Sequence, residues 1–184
     1  HIKAHLGVGS ETIDDLMALP PETRAELIGG EIVMSPAPDL RHQAAVGNLH
    51  AALHNFVRAR RLGRVFVAPV DVFLSRTVVV EPDVCFIAAA RAMILKRRGI
   101  EGAPDLMVEV LSPSTSRRDR KVKRRLYARH GVREYWIADP RLRVVEVLSL
   151  REGDYAVHGV FRPGEAITSP LLPGLRLAVD AVFE

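Results

Sequence analysis

The stretch from Pro104 to Pro140, P-D-L-M-V-E-V-L-S-P-S-T-S-R-R-D-R-K-V-K-R-R-L-Y-A-R-H-G-V-R-E-Y-W-I-A-D-P, decides the fold. It reads as a buried strand, a Ser/Pro turn, a strongly basic helix stopped by Gly131, and a second strand. Glu109 sits inside the first strand, among Leu106, Met107, Val108, Val110 and Leu111. An ionised carboxylate in an apolar strand is costly unless something cationic pairs with it. The identity of that partner is the question on which the function turns.

Around this stretch the composition bounds the answer. A chain of 184 residues, 48% hydrophobic and 26% charged, fits one soluble α/β domain, which we place at residues 10–184. No apolar run approaches a transmembrane span, and no secretory signal is visible. Cys85 is the only cysteine, which excludes an internal disulfide and fits a reducing, cytoplasmic setting. The formal net charge of +4 is concentrated: from Arg117 to Arg125 seven of nine residues are basic. Such a block fits an anionic partner, although a solvated helix face explains many charge runs.

Upstream, Ser10 to Leu19 has the marks of a short helix with Thr12 as N-cap and Pro20-Pro21 as the stop. Arg24 to Ile28 and Glu31 to Met34 form a hairpin about Gly29-Gly30. Asp39 caps a long helix through Arg60, with Val46, Leu49, Leu53, Phe56 and Val57 at helical spacing, and Gly63 ends it. Two β-rich runs follow, Arg64 to Leu74 and Thr77 to Ile87, with the second strand proper starting at Asp83 after Pro82. Ala88 to Lys96 is expected as a short helix and Arg97 to Ala103 as a basic loop. Downstream lie a hairpin (Glu134 to Ala138, Arg143 to Leu148) and a β-rich C-terminal extension.

Asp83 and Glu109 are the strongest chemical pair. If their strands are neighbours, the carboxylates converge at one end of the sheet and make a site for Mg²⁺ or Mn²⁺, completed by a backbone carbonyl and water. The alternative is that Asp83 merely follows Pro82 in a turn and Glu109 pairs with a core arginine. On a helical wheel, Val122, Leu126 and Tyr127 define an inward arc and Lys123 is the one cation within it. Lys123 then reaches the carboxylates, or else it packs its stem and snorkels outward. Arg117, Arg118, Lys121 and Arg125 fall on the outer side, where nucleic-acid phosphates are the candidate ligand. His50 and His54 have a metal-capable i,i+4 spacing but no acidic third ligand on that helix.

The segments L-I-G-G-E-I-V-M-S-P-A-P, R-H-Q, E-P-D-V, V-E-V-L-S-P-S-T, D-x-x-x-K-x-x-x-Y and G-V-R-E-Y-W-I-A-D-P, in that order, resemble the bacterial Uma-type family of restriction-endonuclease-like proteins. That family is similar in fold to the PD-(D/E)xK nuclease superfamily. The resemblance implies a mixed central sheet flanked by helices, Asp83 as the motif aspartate, Glu109 as the second acid and a divalent metal, Mg²⁺ or Mn²⁺. The superfamily's usual lysine position holds Leu111 here, and the lysine is matched by Lys123 on the next helix. Glu31 and His42 match the family's N-terminal segments and are implied to line the same cleft; Asp71 is a weaker candidate. Nucleic acid, DNA in the first instance, is the implied partner, and a homodimer the implied assembly.

Two functions from different classes follow. One is a metal-dependent endonuclease in which Asp83 and Glu109 hold the metal and Lys123 assists attack. The other, motivated by Leu111, is a nucleic-acid-binding protein that keeps the nuclease fold without chemistry. An assembly protein with an acidic partner is a third.

Overall fold

The computed structural model describes residues 9–113 and 119–184. It opens with helix α1 (Ile13–Met17), where the Asp15 carboxylate accepts the Thr12 backbone N–H at 2.8 Å and closes the first turn. Strands β1 (Ala25–Ile28) and β2 (Glu31–Met34) form a hairpin over Gly29-Gly30. Both glycines have positive φ, 57° and 76°, which is why this two-residue turn needs them.

Helix α2 (Leu40–Arg60) begins where the Asp39 carboxylate accepts the His42 backbone N–H at 2.8 Å. Ala45, Val46, Leu49, Leu53 and Val57 are buried along one stripe. Full burial of a leucine such as Leu49 or Leu53 contributes about 1.5–3 kcal/mol. The helix closes on Arg61 in the left-handed region, two residues before the expected stop at Gly63.

Strands β3 (Gly63–Val67), β4 (Val72–Ser75), β5 (Val78–Val80) and β6 (Val84–Ala88) come next. The helix expected over Ala88 to Lys96 is a 3₁₀ segment, Ala89–Ile94, that runs into β7 (Leu95–Lys96). The expected loop contains β8 (Gly99–Glu101), which pairs in parallel with β4. Three residues with one buried apolar side chain, Ile100, present no periodicity from which to read a strand.

Strand β9 (Leu106–Val110) is buried throughout. A π-helical turn, Asp119–Lys123, continues into helix α3 (Arg124–Arg129), and β10 (Glu134–Asp139) then lies parallel to β9. Strands β11 (Val144–Arg151) and β12 (Asp154–Phe161) extend the sheet as a meander. Short strands β13 (Ala166–Ile167) and β14 (Leu177–Ala178) and a last helical turn α4 (Val179–Val182) complete the β-rich extension. Buried Glu134 anchors that extension by accepting bonds from the Trp136 indole, the Ser169 hydroxyl and the Leu171 N–H.

Two mixed sheets result, in the orders β2-β1-β5-β4-β8-β7 and β12-β11-β10-β9-β6-β3. The second is the expected mixed sheet flanked by helices; a six-stranded partner sheet was not legible from the sequence. Side chains alternate about the second sheet. Val84, Phe86, Leu106, Val108 and Val110 face α2, whereas Cys85, Ile87, Met107 and Leu111 face α3 and the first sheet. By the same alternation Glu109 faces α3.

One side chain departs from the wheel. Val122, expected inward, is 44% exposed, while Lys123 is 4% exposed. The i→i+5 bonding of the π turn gives each residue a smaller angular step than an α-helix does. That unwinding turns Val122 to solvent and brings Lys123 over the sheet. Among the described residues no helix is long and apolar enough to cross a membrane.

Candidate active site

Strand register brings the acids together. β6 and β9 are antiparallel neighbours with Val84 opposite Val108, so Asp83, just before β6, sits beside the end of the strand that carries Glu109. The Asp83 carboxylate accepts the Val110 N–H at 2.7 Å and so caps the end of the ladder. His42, from the first turn of α2, places Nε2 3.5 Å from the same Asp83 oxygen.

The cation comes from the helix. Lys123 Nζ is 3.0 Å from Glu109 Oε1 and 3.1 Å from Glu26 Oε1, with all three residues buried. Tyr127, one turn on from Lys123, donates its hydroxyl to Glu109 Oε1 at 2.6 Å. Residues at i and i+4 share a helix face, which explains why one carboxylate receives both donors. Glu26 Oε2 in turn accepts the Glu81 N–H at 2.8 Å. The first sheet is thereby tied to the second through the ammonium.

Residues Glu26, His42, Glu81, Asp83, Glu109 and Lys123 line one open cavity of about 320 Å³, with Arg24 at its edge. Four of these are carboxylates, against the permanent cations Arg24 and Lys123 and the titratable His42. Burial opposes charge on His42, but the Asp83 carboxylate, Gln43 and the Val110 carbonyl outweigh it and raise its pKa above the usual 6.5. Burial, then the neighbouring Asp71 carboxylate, pushes Glu81 up to about 7 despite Arg24. Asp71 is also raised, by burial, while its hydrogen bond with Glu81 acts in the opposite direction. The Arg24 Nε to Glu81 Oε2 separation of 3.8 Å is too long for a hydrogen bond, and neither atom has such a partner. Tyr127 is held well above the ordinary tyrosine range by burial and by Glu109 and Glu26; it is a neutral hydroxyl donor.

The donor set fits a hard divalent cation. Mg²⁺ keeps several waters and needs only one or two protein carboxylates. Asp83 and Glu109 offer two in a cleft whose acids outnumber its permanent cations. No group of three His, Cys, Asp or Glu side chains converges at ligating separation among the described residues, so a cage made wholly of protein side chains is not what the geometry offers.

Of the residues picked from the sequence, Asp83, Glu109, Lys123 and His42 line this cleft, and Glu31 does not. Glu31 lies exposed beside the β1–β2 turn, opposite Ile28, whereas Glu26 at the other end of the hairpin holds the cleft position. Asp71 lines a neighbouring cavity with Glu81. Lys121 and Arg125 are exposed and are not among the residues lining the acid cleft; Arg117 and Arg118 lie outside the described residues. Leu111 is buried in the apolar cluster beneath α3. His50 and His54 are ring neighbours, 5.5 Å between centroids. Cys85 is core, its thiol pushed up to about 12 by burial.

Sequence reasoning passed over Glu26, Glu81 and Tyr127. Glu26 carried the same signal as Glu109, a carboxylate flanked by apolar strand residues. Tyr127 was marked by its i+4 spacing from Lys123.

The fold is similar to a crystal structure of "a putative nuclease belonging to DUF820" from Anabaena variabilis ATCC 29413, at 24% identity and a TM-score of 0.78. That likeness covers 94% of this chain and 97% of the other. No curated protein matches the chain. The Uma2 family, described as "Putative restriction endonuclease", matches residues 13–180. The chain belongs to the Uma2 family.

Proposed function

We propose that the chain is a divalent-metal-dependent endonuclease that hydrolyses phosphodiester bonds in DNA. The observation that carries this reading is the Glu109–Lys123 contact at 3.0 Å in the cleft that also holds Asp83. In support, the acid just before β6, the acid inside β9 and an ammonium from the following helical segment all line that one cleft. DNA is favoured over RNA by the description of the family, restriction endonuclease.

Asp83 and Glu109 are the residues that would hold Mg²⁺ or Mn²⁺. When bound, the metal supplies Lewis-acid charge at the phosphoryl oxygens. The chain's own groups do the rest. Lys123 presents an ammonium, fixed between two carboxylates, that orients the attacking water and stabilises charge as it develops. Tyr127 is a positioning residue: its hydroxyl holds the Glu109 carboxylate in one rotamer. His42 lies beside Asp83, whose carboxylate favours the protonated imidazole, and faces the same cleft as the acids. Glu26 keeps the ammonium from leaning wholly onto Glu109.

The test is cleavage of plasmid DNA by the purified chain with Mg²⁺, with Mn²⁺ and with EDTA, alongside Asp83→Asn, Glu109→Gln and Lys123→Met. Cleavage only by the wild type with metal supports the proposal. Cleavage by Glu109→Gln at the wild-type rate contradicts it. DNA binding without cleavage under every metal condition returns the non-catalytic reading that Leu111 motivates.

A further inference from the structure

The acid cleft does not end at its own walls. It shares Asp39, Ser112 and Pro113 with a second cavity of about 640 Å³, set between the first turn of α2 and the turn joining β10 to β11. Three arginines line that second cavity: Arg41 from α2, Arg120 from the π turn and Arg141 from the β-turn. Against them stand two aspartates, both occupied by the backbone. Asp39 accepts the His42 N–H, and Asp139 accepts the N–H groups of Arg141 and Leu142.

Two of these arginines, Arg41 and Arg141, have no acidic side-chain partner among the described residues, and the third, Arg120, is held loosely by two. Arg120 reaches Asp139 and Glu146 only at 3.9 and 3.6 Å, beyond hydrogen-bonding length. Arg41 and Arg141 are exposed and make no side-chain ion pair among the described residues. Leu142, 55% exposed, adds an apolar surface at the same rim.

The charge pattern requires such a flank. The acid centre sets four carboxylates against Arg24, Lys123 and His42, and so offers a polyanion little net attraction of its own. Affinity for a nucleic-acid strand must therefore come from cations beside the centre rather than in it. A strand that delivers one phosphate to Asp83 and Glu109 has to leave across an edge of the cleft, and this edge opens onto guanidinium groups suited to bidentate phosphate contacts.

We infer that the Arg41–Arg120–Arg141 cavity is a phosphate subsite for the strand flanking the reacting bond, a deepening that rests on the nuclease reading above. It places the main phosphate contacts at the start of α2 and the β10–β11 turn. The outer face of the basic helix, where sequence alone put them, is secondary.

The experiment measures binding of a fluorescein-labelled single-stranded DNA oligonucleotide, and of its duplex, by anisotropy with Ca²⁺ in place of Mg²⁺. Arg41→Ala/Arg141→Ala is expected to weaken single-strand binding about tenfold. It should also reduce the slope of log K against log salt by about 1.4, two contacts at roughly 0.7 each. Arg58→Ala/Arg60→Ala removes the same charge about 25 Å further along α2, by the 1.5 Å rise per residue, and is expected to leave both values near wild type. Equal losses in the two variants, or no loss in the first, overturn the subsite while the nuclease reading stands. A wild type that binds no DNA overturns both, as does an acidic polypeptide that competes as well as DNA does.

Discussion

Lys123→Met isolates the physical cost of the site. The ammonium lies 3.0 Å from Glu109 and 3.1 Å from Glu26, and the three residues are 4%, 3% and 7% exposed. Removing it leaves two carboxylates facing each other across a space that water barely reaches. Breaking a buried ion pair from one side costs about 3–5 kcal/mol, because the remaining charge stays desolvated and uncompensated. Tyr127 still donates to Glu109 Oε1 and the Glu81 N–H still donates to Glu26, so we expect the lower part of that range, about 3 kcal/mol. Urea unfolding at pH 7, followed by tryptophan fluorescence of the buried Trp136, reads the loss. The triple variant Lys123→Met/Glu26→Gln/Glu109→Gln removes every charge of the triad and should return to within about 1–2 kcal/mol of wild type, since neutral replacement of buried ionic groups is often well tolerated. A loss below about 1 kcal/mol in the single variant would refute the reasoning. So would a triple variant no more stable than the single one.

Glu81 titrates near 7 when folded, against 4.5 for the free side chain. Between those values the folded state holds a proton that the unfolded state has released, so stability falls as pH rises through that window, by on the order of 3 kcal/mol. Glu81→Gln should flatten this loss and stabilise the protein at pH 8, measured as the urea midpoint at pH 5 and pH 8. Tyr127→Phe takes one donor from buried Glu109 and should cost about 1–3 kcal/mol in the same assay. If Tyr127 acts by positioning that carboxylate, DNA cleavage should also lose kcat with little change in KM.

Much of the second sheet was legible because its signals are local and strong. The Pro104 to Pro140 pattern of strand, helix and strand appears as β9, the π turn with α3, and β10. The carboxylate in β9 called for a buried cation, and Lys123 fills that place. What was hidden depended on pairing across distant segments. β8 is three residues long, pairs with a two-residue β7 on one side, and joins the sheet through its parallel contact with distant β4. Glu26 and Glu31 each lie in a short strand of one hairpin, and the choice between them depends on which end of that hairpin meets Lys123. The inward arc came out differently because a wheel at α-helical pitch cannot anticipate a π turn, which moved Val122 out. The arginine cavity joins the start of α2 to the β10–β11 turn, residues about a hundred positions apart, and no local spacing announces it.

The most direct measurement is calorimetric titration of Mn²⁺ into the wild type, Asp83→Asn and Lys123→Met without nucleic acid. Saturable binding to the wild type that disappears in Asp83→Asn, with Lys123→Met still able to bind, is the result predicted by an acid pair that holds the metal and a lysine that does not. Identical heats from the wild type and Asp83→Asn would contradict it.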